Sequence, residues 1–379
     1  MNGKRTSLVV PSRDELRKIS LFDRKGWKTV RFGEVVENVN ETERVPAEAG
    51  IGRFIGLEHL EPGSLHIREW GNVADGTTFT RRCRPGQVLF GKRRAYQRKV
   101  AIAEFDAVVS GDIYVLAPKG DRLLPKLLPF ICLSERFFQH AVGTSAGSLS
   151  PRTNWSSLAN FEFALPPLDQ QRRIADILWA VDEVSQKYRD LALSVNALHD
   201  IFIVDLVAQT RRDPQSRLAD YMAVEYGDSL PESKRSGSGF PVMGSNGTVG
   251  FHQAFTIEAP AIIIGRKGGA GEVTWSDIHC WPIDTAYYVR IINSKIQPRW
   301  LYYLLKGLKL HKYAITTSIP GLNRNDVLSI AVTIPKLEKQ QEIANKLDEL
   351  QRNLSTLSEH MQRVEDVKTC LSNQLILHD

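Results

Sequence analysis

The feature that most constrains this chain is an internal repeat with an unusually long period. The segment Pro166–Leu178, PPLDQQRRIADIL, returns as Pro335–Leu347, PKLEKQQEIANKL, at an offset of 169 residues. Six of 13 positions are identical: Pro166/Pro335, Leu168/Leu337, Gln171/Gln340, Ile174/Ile343, Ala175/Ala344 and Leu178/Leu347. Asp169 and Glu338 are both acidic. The register also holds upstream, where Asn154 meets Asn323, and Phe161, Phe163 and Leu165 meet Ile330, Val332 and Ile334. Apolar residues at every second position read as a half-buried strand. A proline at the strand's end stops the ladder and can open a helix. Solenoid repeats run about 20–50 residues, so this period indicates duplication of a whole domain together with its helix.

Between Pro167 and Pro214 no proline interrupts the chain. Apolar residues recur there at Ile174, Ile177, Val181, Val184, Tyr188, Leu191, Val195, Leu198 and Phe202. The intervals alternate three and four, the pattern of a heptad seam. A second seam reads Ile343, Leu347, Leu350, Leu354, Leu357, Met361, Val364, Lys368, Leu371 and Leu375, broken only by Lys368. Each helix should span about 40 residues, roughly 60 Å. Two matched seams in one chain predict an antiparallel coiled coil, which would act as a stiff spacer; the alternative is that each helix packs on its own globular domain. The expected layout is a tail over 1–20, a domain over 21–165, a helix over 166–208, a second domain over 209–334 and a helix over 335–379.

Both domains read as α+β. Strand-like runs in the first are Gly86–Phe90, Val100–Ala103, Ala107–Val109 and Ile113–Leu116, followed by a helical stretch over Leu124–His140. In the second they are Ala261–Ile264, Gly271–Trp275 and Ala286–Ile292, followed by a helical stretch over Pro298–Tyr313.

The net charge of +6 is a mild pointer to a polyanionic partner. Its densest source is Arg81–Lys99, with eight basic residues and no acidic one: Arg81, Arg82, Arg84, Lys92, Arg93, Arg94, Arg98 and Lys99. Tyr96 lies among them. Cations neutralise phosphates, and arginine can read guanine in the major groove. With no carboxylate inside the segment, its self-repulsion predicts an anion there. VLFGKR, Val88–Arg93, resembles IIIGRK, Ile262–Lys267, which nominates Arg266 and Lys267 in the second domain. Two polar loops precede the repeated strand. They nominate Ser145, Ser148, Arg152 and Asn154 in one copy, and Thr317, Ser318, Asn323 and Arg324 in the other. Such side chains contact phosphates and base edges, although turn chemistry alone also selects them. Ser245 and Asn246 are either a turn or a contact.

The Gly-rich GRKGGAGE lacks the G-x-x-x-x-G-K-[ST] of a phosphate loop, and no dinucleotide fingerprint or H-E-x-x-H occurs. The cysteines Cys83, Cys132, Cys280 and Cys370 are scattered without a C-x-x-C pair, which predicts reduced thiols and no metal site. No signal-peptide core and no membrane span of about 20 apolar residues is expected, so the location should be cytoplasmic.

Duplicated Pro-x-Leu-x-x-Gln-x-x-Ile-Ala helices, each following an α+β domain, resemble Type I restriction–modification specificity subunits. GSNGTVGFHQAFTIEAPAIIIGRKGGAGEV, Gly244–Val273, and WPIDTAYYV, Trp281–Val289, look like a frequent form of that family's second recognition domain. GWKTVRFGEVVE, Gly26–Glu37, is similar to its entry into the first. The resemblance implies two target-recognition domains on a two-helix spacer, reading an asymmetric bipartite site in double-stranded DNA. It also implies docking of two methyltransferase subunits, together with restriction subunits. S-adenosylmethionine, ATP and Mg2+ would then sit on those partners, and this chain would carry no catalytic residue. The rivals are a single-chain Type II-like nuclease or methyltransferase, and a coiled-coil adaptor without a DNA role.

Overall fold

The structure is a computed structural model, described here for residues 24–315 and 320–375. The expected tail over 1–20 lies outside the described residues. The chain divides into two compact units: Met1–Arg189 with Glu359–Asp379, and Asp190–Ser358.

In the first unit, Lys28–Arg31 pairs antiparallel with Glu162–Leu165, so the domain's entry and exit are stitched together. One four-stranded sheet runs in the order Val36–Asn38, Ile113–Pro118, Val88–Gly91, Val100–Ile102. The other runs Gly71–Asn72, Arg53–Ile55, Ala107–Val109, Arg81–Cys83. The single helix expected over Leu124–His140 is two, Leu128–Leu133 and Glu135–Gly143. Ser134 breaks it: in extended conformation, it caps the second helix by accepting from Phe137 N. Phe32, Phe90, Phe130, Phe137 and Phe163 form the centre of the core.

The second unit repeats the plan. Ser216–Arg217 pairs antiparallel with Ala331–Val332. Its main sheet runs Met222–Tyr226, Ala286–Ile291, Ala261–Gly265, Val273–Ser276. The helix Pro298–Gly307 buries Trp300, Tyr303 and Leu304 against it.

The long helices are Leu168–Arg211 and Leu337–Gln374. Each opens on the same lock. Gln171 Nε2 donates to the carbonyls of Pro166 and Arg122, and its Oε1 accepts from Leu124 N. Gln340 Nε2 donates to the carbonyls of Pro335 and Lys295, and its Oε1 accepts from Gln297 N. Both glutamines are buried. The repeated glutamine therefore satisfies backbone groups that would otherwise be stranded at the junction of domain and helix.

The first unit pairs the start of one helix with the end of the other. Asp182 bonds Lys368, Ser185 bonds Glu365, and the Tyr188 ring meets His360. Residue numbers rise on one helix as they fall on the other, so the pair is antiparallel. In the second unit Leu206 shares one apolar cluster with Ala344 and Leu347.

The seam expected on the first helix is corrected. Ile177, Val184, Leu191 and Leu198 are exposed, whereas Gln171, Asp182, Ser185, His199 and Thr210 are buried. The other half of the expected seam does face inward: Ile174 is buried, Val181 packs on the first core, the Tyr188 ring meets His360 and Phe202 packs on the second core. The apolar reading failed at the alternate positions, where polar side chains occupy much of the buried line. The second seam holds: Leu347, Leu357, Leu371 and Leu375 are buried, and so is Lys368. Lys368 completes the seam: its ammonium meets Asp182 at 3.2 Å.

The expectation of no membrane-length apolar stretch also needs correction. The first helix contains an 18-residue window of mean hydropathy 1.7, long and apolar enough by composition to cross a membrane. In the second unit, one side of it packs Phe202, Ile203, Leu206 and Val207 into the domain core. Leu193, Ile201 and Val204 lie on its exposed side.

Asp182 also accepts a 2.7 Å bond from His66 Nε2, while His66 Nδ1 faces Glu104 at 3.0 Å. The bond to Asp182 raises the His66 pKa above its usual 6.5 or so, against the opposing pull of burial. Burial works to raise the Asp182 pKa, but His66 and Lys368 outweigh it and hold the carboxyl below its ordinary range. A raised histidine pKa gives stability that is fully present below about pH 6.5 and lost as pH rises through the folded value. The thermal midpoint should therefore fall as pH rises above about 6.5 in the parent and less steeply in His66→Gln. Parallel pH profiles would show that this bond contributes nothing.

Candidate nucleic-acid interface

The loop leaving the central strand Val88–Gly91 is held by a small backbone lattice. Lys92 N donates to Asp112 O at 2.9 Å, Arg94 N to Pro151 O at 2.7 Å, and Thr153 N to Lys92 O at 3.0 Å. Ala146 and Arg152 exchange both backbone bonds, closing the polar loop between them. The neighbouring strand places Tyr114 opposite Phe90, and its hydroxyl donates to Thr153 O.

The second domain repeats this lattice bond for bond. Arg266 N donates to Thr285 O at 2.9 Å, Gly268 N to Pro320 O at 3.1 Å, and Leu322 N to Arg266 O at 2.9 Å. Ile315 and Gly321 exchange both backbone bonds. Tyr287 lies opposite Ile264, and its hydroxyl donates to Leu322 O. A strand, a glycine and a cation-bearing loop are thus pinned in each copy to the polar loop that precedes the repeated asparagine.

In the first domain this lattice gathers cations. Lys92 sits 4.9 Å from the Tyr114 ring centroid. Burial lowers its pKa, and the positive charges of Arg81 and Arg152 lower it further, against the pull of Asp112. Asp112 takes a 2.7 Å bond from Arg152 and a 3.3 Å bond from Arg93. Arg93 and Arg94 both donate to Ser150 Oγ, at 3.1 and 3.3 Å. Tyr96 is exposed in a short turn flanked by Arg94 and Arg98, both in the left-handed region. Non-glycine residues held there are uncommon and mark a constrained loop.

The remaining cations of the segment have other partners, which corrects the expectation of uncompensated charge. Arg82 pairs with Asp106 and Glu41, and Arg84 with Glu41. Arg98 pairs with Glu135 at 2.6 Å, and Lys99 donates to Leu57 O. These carboxylates come from elsewhere in the domain, out of reach of a reading confined to the segment itself. Arg81, Lys92 and Arg94 pair with no carboxylate among the described residues, and with Arg93 and Arg152, which share the single carboxylate of Asp112, they make up the basic rim.

Ser145 donates to Ala141 O at a helix end, and Ser148 is exposed in the polar loop. Asn154 and Asn323 are helix N-caps, accepting from Ser157 N and Asn325 N. Capping explains their recurrence at the repeat offset without any contact to a ligand. Thr317 and Ser318 lie outside the described residues.

In the second domain Arg266 stacks 4.8 Å and Arg324 5.2 Å from the Tyr226 ring. Sequence reading missed Tyr226, an exposed tyrosine at the end of a strand that no loop signal marks. Lys267 is exposed. Ser245 and Asn246 form the tip of a hairpin pressed against the glycine loop: Ser245 Oγ accepts from Gly269 N at 3.4 Å. A Cβ at Gly265 would lie 2.0 Å from Gly269 O, and one at Gly269 would strike the Asn246 side chain. The glycines are there because backbone meets backbone, a packing role and not a phosphate cradle.

A family described as Type I restriction modification DNA specificity domain matches residues 24–190 and again 199–366. The chain belongs to that family. It is 25% identical over 205 residues to the Type I restriction enzyme EcoDI specificity subunit of Escherichia coli, covering 49% of this chain and 44% of the relative. It is 24% identical over 255 residues to the putative type I specificity subunit S.MpnORF507P of Mycoplasma pneumoniae, covering 64% and 68%. The match thus spans less than half of the EcoDI subunit. The fold resembles the crystal structure of a Type I S subunit from M. genitalium, with a TM-score of 0.66 at 16% identity over 95% of this chain and 99% of that one. It also resembles a chain from a type I R-M system assembly, with a TM-score of 0.58 at 18% identity over 93% and 97%. Both likenesses support the tandem fold of two mixed domains with long helices.

Proposed function

We propose that this specificity-family chain is the DNA-reading subunit of a Type I restriction–modification complex. It would bind an asymmetric bipartite site and leave the chemistry to partners. The observation that carries this reading is the lattice built twice, once in each domain, each time presenting cations and polar loop residues beside a tyrosine. Repetition of the scaffold explains two half-sites. Divergence of what it carries, Lys92-Arg93-Arg94 against Arg266-Lys267-Gly268, explains why the halves would differ. The long helices set the gap between half-sites. The exposed apolar side of the first helix, including Ile177, Val184, Leu198, Ile201 and Val204, is where methyltransferase subunits would dock. S-adenosylmethionine, ATP and Mg2+ belong to the methyltransferase and restriction subunits on this reading, and the complex is cytoplasmic.

The test is the salt dependence of DNA binding by the chain assembled with its methyltransferase subunits. Each phosphate contact contributes about 0.9 to the slope of log K against log salt. Lys92→Gln with Arg94→Gln should weaken binding for all sequences and flatten the slope by about one to two. Arg82→Gln with Arg84→Gln, whose charges are spent on Glu41 and Asp106, should leave the slope unchanged. Equal slopes in all three proteins would refute the rim as the interface.

A further inference from the structure

We propose that Leu149 is a base-reading residue of the first domain, recognising a thymine through its C5-methyl group. The proposal rests on the DNA-reading function above and assigns a target to one side chain within it.

Leu149 is 90% exposed, the most exposed of the large apolar side chains among the described residues. Scattered exposed leucines are ordinary, but this one occupies a particular place. It sits at the tip of the polar loop whose base is closed by the two backbone bonds between Ala146 and Arg152. Its neighbour Ser150 is held by Arg93 and Arg94, and the next carbonyl, of Pro151, accepts from Arg94 N. The loop is therefore anchored to the arginines of the basic rim on one side and to Arg152 on the other. A duplex drawn to those cations would bring its grooves to the loop between them.

An aliphatic side chain offered to a duplex has two apolar partners. One is the thymine methyl in the major groove. The other is the base faces exposed by prising open a step, which costs a few kcal/mol in unstacking. Leu149 is a single aliphatic residue among Ser148, Ser150 and Gly147, with no second apolar residue beside it to fill an opened step. Small hydroxyl side chains around one apolar tip suit hydrogen bonding and methyl contact in a groove. The repeat offset places Ser318 at the corresponding position of the second copy, so methyl reading here would distinguish one half-site from the other.

The experiment uses the chain assembled with its methyltransferase subunits. The site is first found by selection from random DNA. Every thymine in both half-sites is then replaced in turn by deoxyuridine, which lacks only the methyl group. Leu149→Ala should lower affinity for the selected site about five- to tenfold with an unchanged salt slope. One deoxyuridine position should cost the parent a similar factor and cost Leu149→Ala nothing further. Full affinity in Leu149→Ala, or undiminished sensitivity to every deoxyuridine, would overturn the proposal. So would 2-aminopurine fluorescence showing a step unstacked by the parent and not by Leu149→Ala, since that marks a wedge. A parent complex with no sequence preference would instead overturn the DNA-reading function on which the proposal rests.

Discussion

Replacing Lys368 with methionine is expected to destabilise the first unit by about 3–5 kcal/mol. The ammonium is 5% exposed and the Asp182 carboxylate 1%. Lys368 also reaches Glu365 and the carbonyl of Gly63. Methionine keeps much of the stem's volume and removes the charge, so Asp182 stays buried with only His66 opposite it. Charges left unpaired in that way cost far more than the intact pair contributes. The double variant Lys368→Met with Asp182→Leu removes both charges and should recover most of the loss, a non-additivity expected of groups in contact. Retention of the pair despite that alternative points to register: Asp182 meets Lys368 in one alignment of the helices, whereas apolar seams tolerate slippage by a heptad. Urea unfolding, with amide exchange read on residues 174–188 and 359–375, measures both variants. A loss below about 1 kcal/mol in the single variant would mean that water reaches the pair.

Lys368 also shows where a sequence stops being legible. The period of both long helices, their starting prolines and the 169-residue offset were readable because periodicity survives divergence. The phase of the first helix was legible at Ile174, Val181, Tyr188 and Phe202, which pack inward, and not at the seam positions between them. Its buried line carries Asp182, Ser185 and His199, and its exposed line carries Ile177, Val184 and Leu198. A hydrophobic pattern cannot rank a polar residue with a partner from elsewhere above an apolar residue facing out. The candidate interface divides the same way. The resemblance of Val88–Arg93 to Ile262–Lys267 located the two loops, and the backbone lattices there match bond for bond. Which of eight cations remain at the rim depended on Glu41, Asp106, Asp112 and Glu135, all outside the basic segment. Asn154 and Asn323 each cap a helix, a local demand that accounts for their recurrence at the repeat offset.

Deleting one heptad from each long helix, residues 192–198 and 352–358, should abolish specific binding to the parent's site and select a new one. Seven residues preserve the three–four alternation of the buried lines, so both helices keep a continuous seam. They shorten the spacer by about 10 Å at about 1.5 Å per residue. On B-form DNA at about 3.4 Å per base pair, that is a gap shorter by about three base pairs. The parent site then offers each half to a reader displaced by that amount. Affinity should fall by about a thousandfold or more, toward the non-specific level. Recovery on the shortened gap should be incomplete for a reason of symmetry. Three base pairs turn the duplex by about 100° at about 10.5 base pairs per turn, while a heptad leaves a helix face rotated by only about 20°. The second domain would meet the groove at the wrong azimuth unless the DNA twists or the loops bend. Selection from a library with randomised gap length reads the outcome directly. If the shortened protein still prefers the parent gap, the helices do not measure distance, and the two readers must be positioned by their partners.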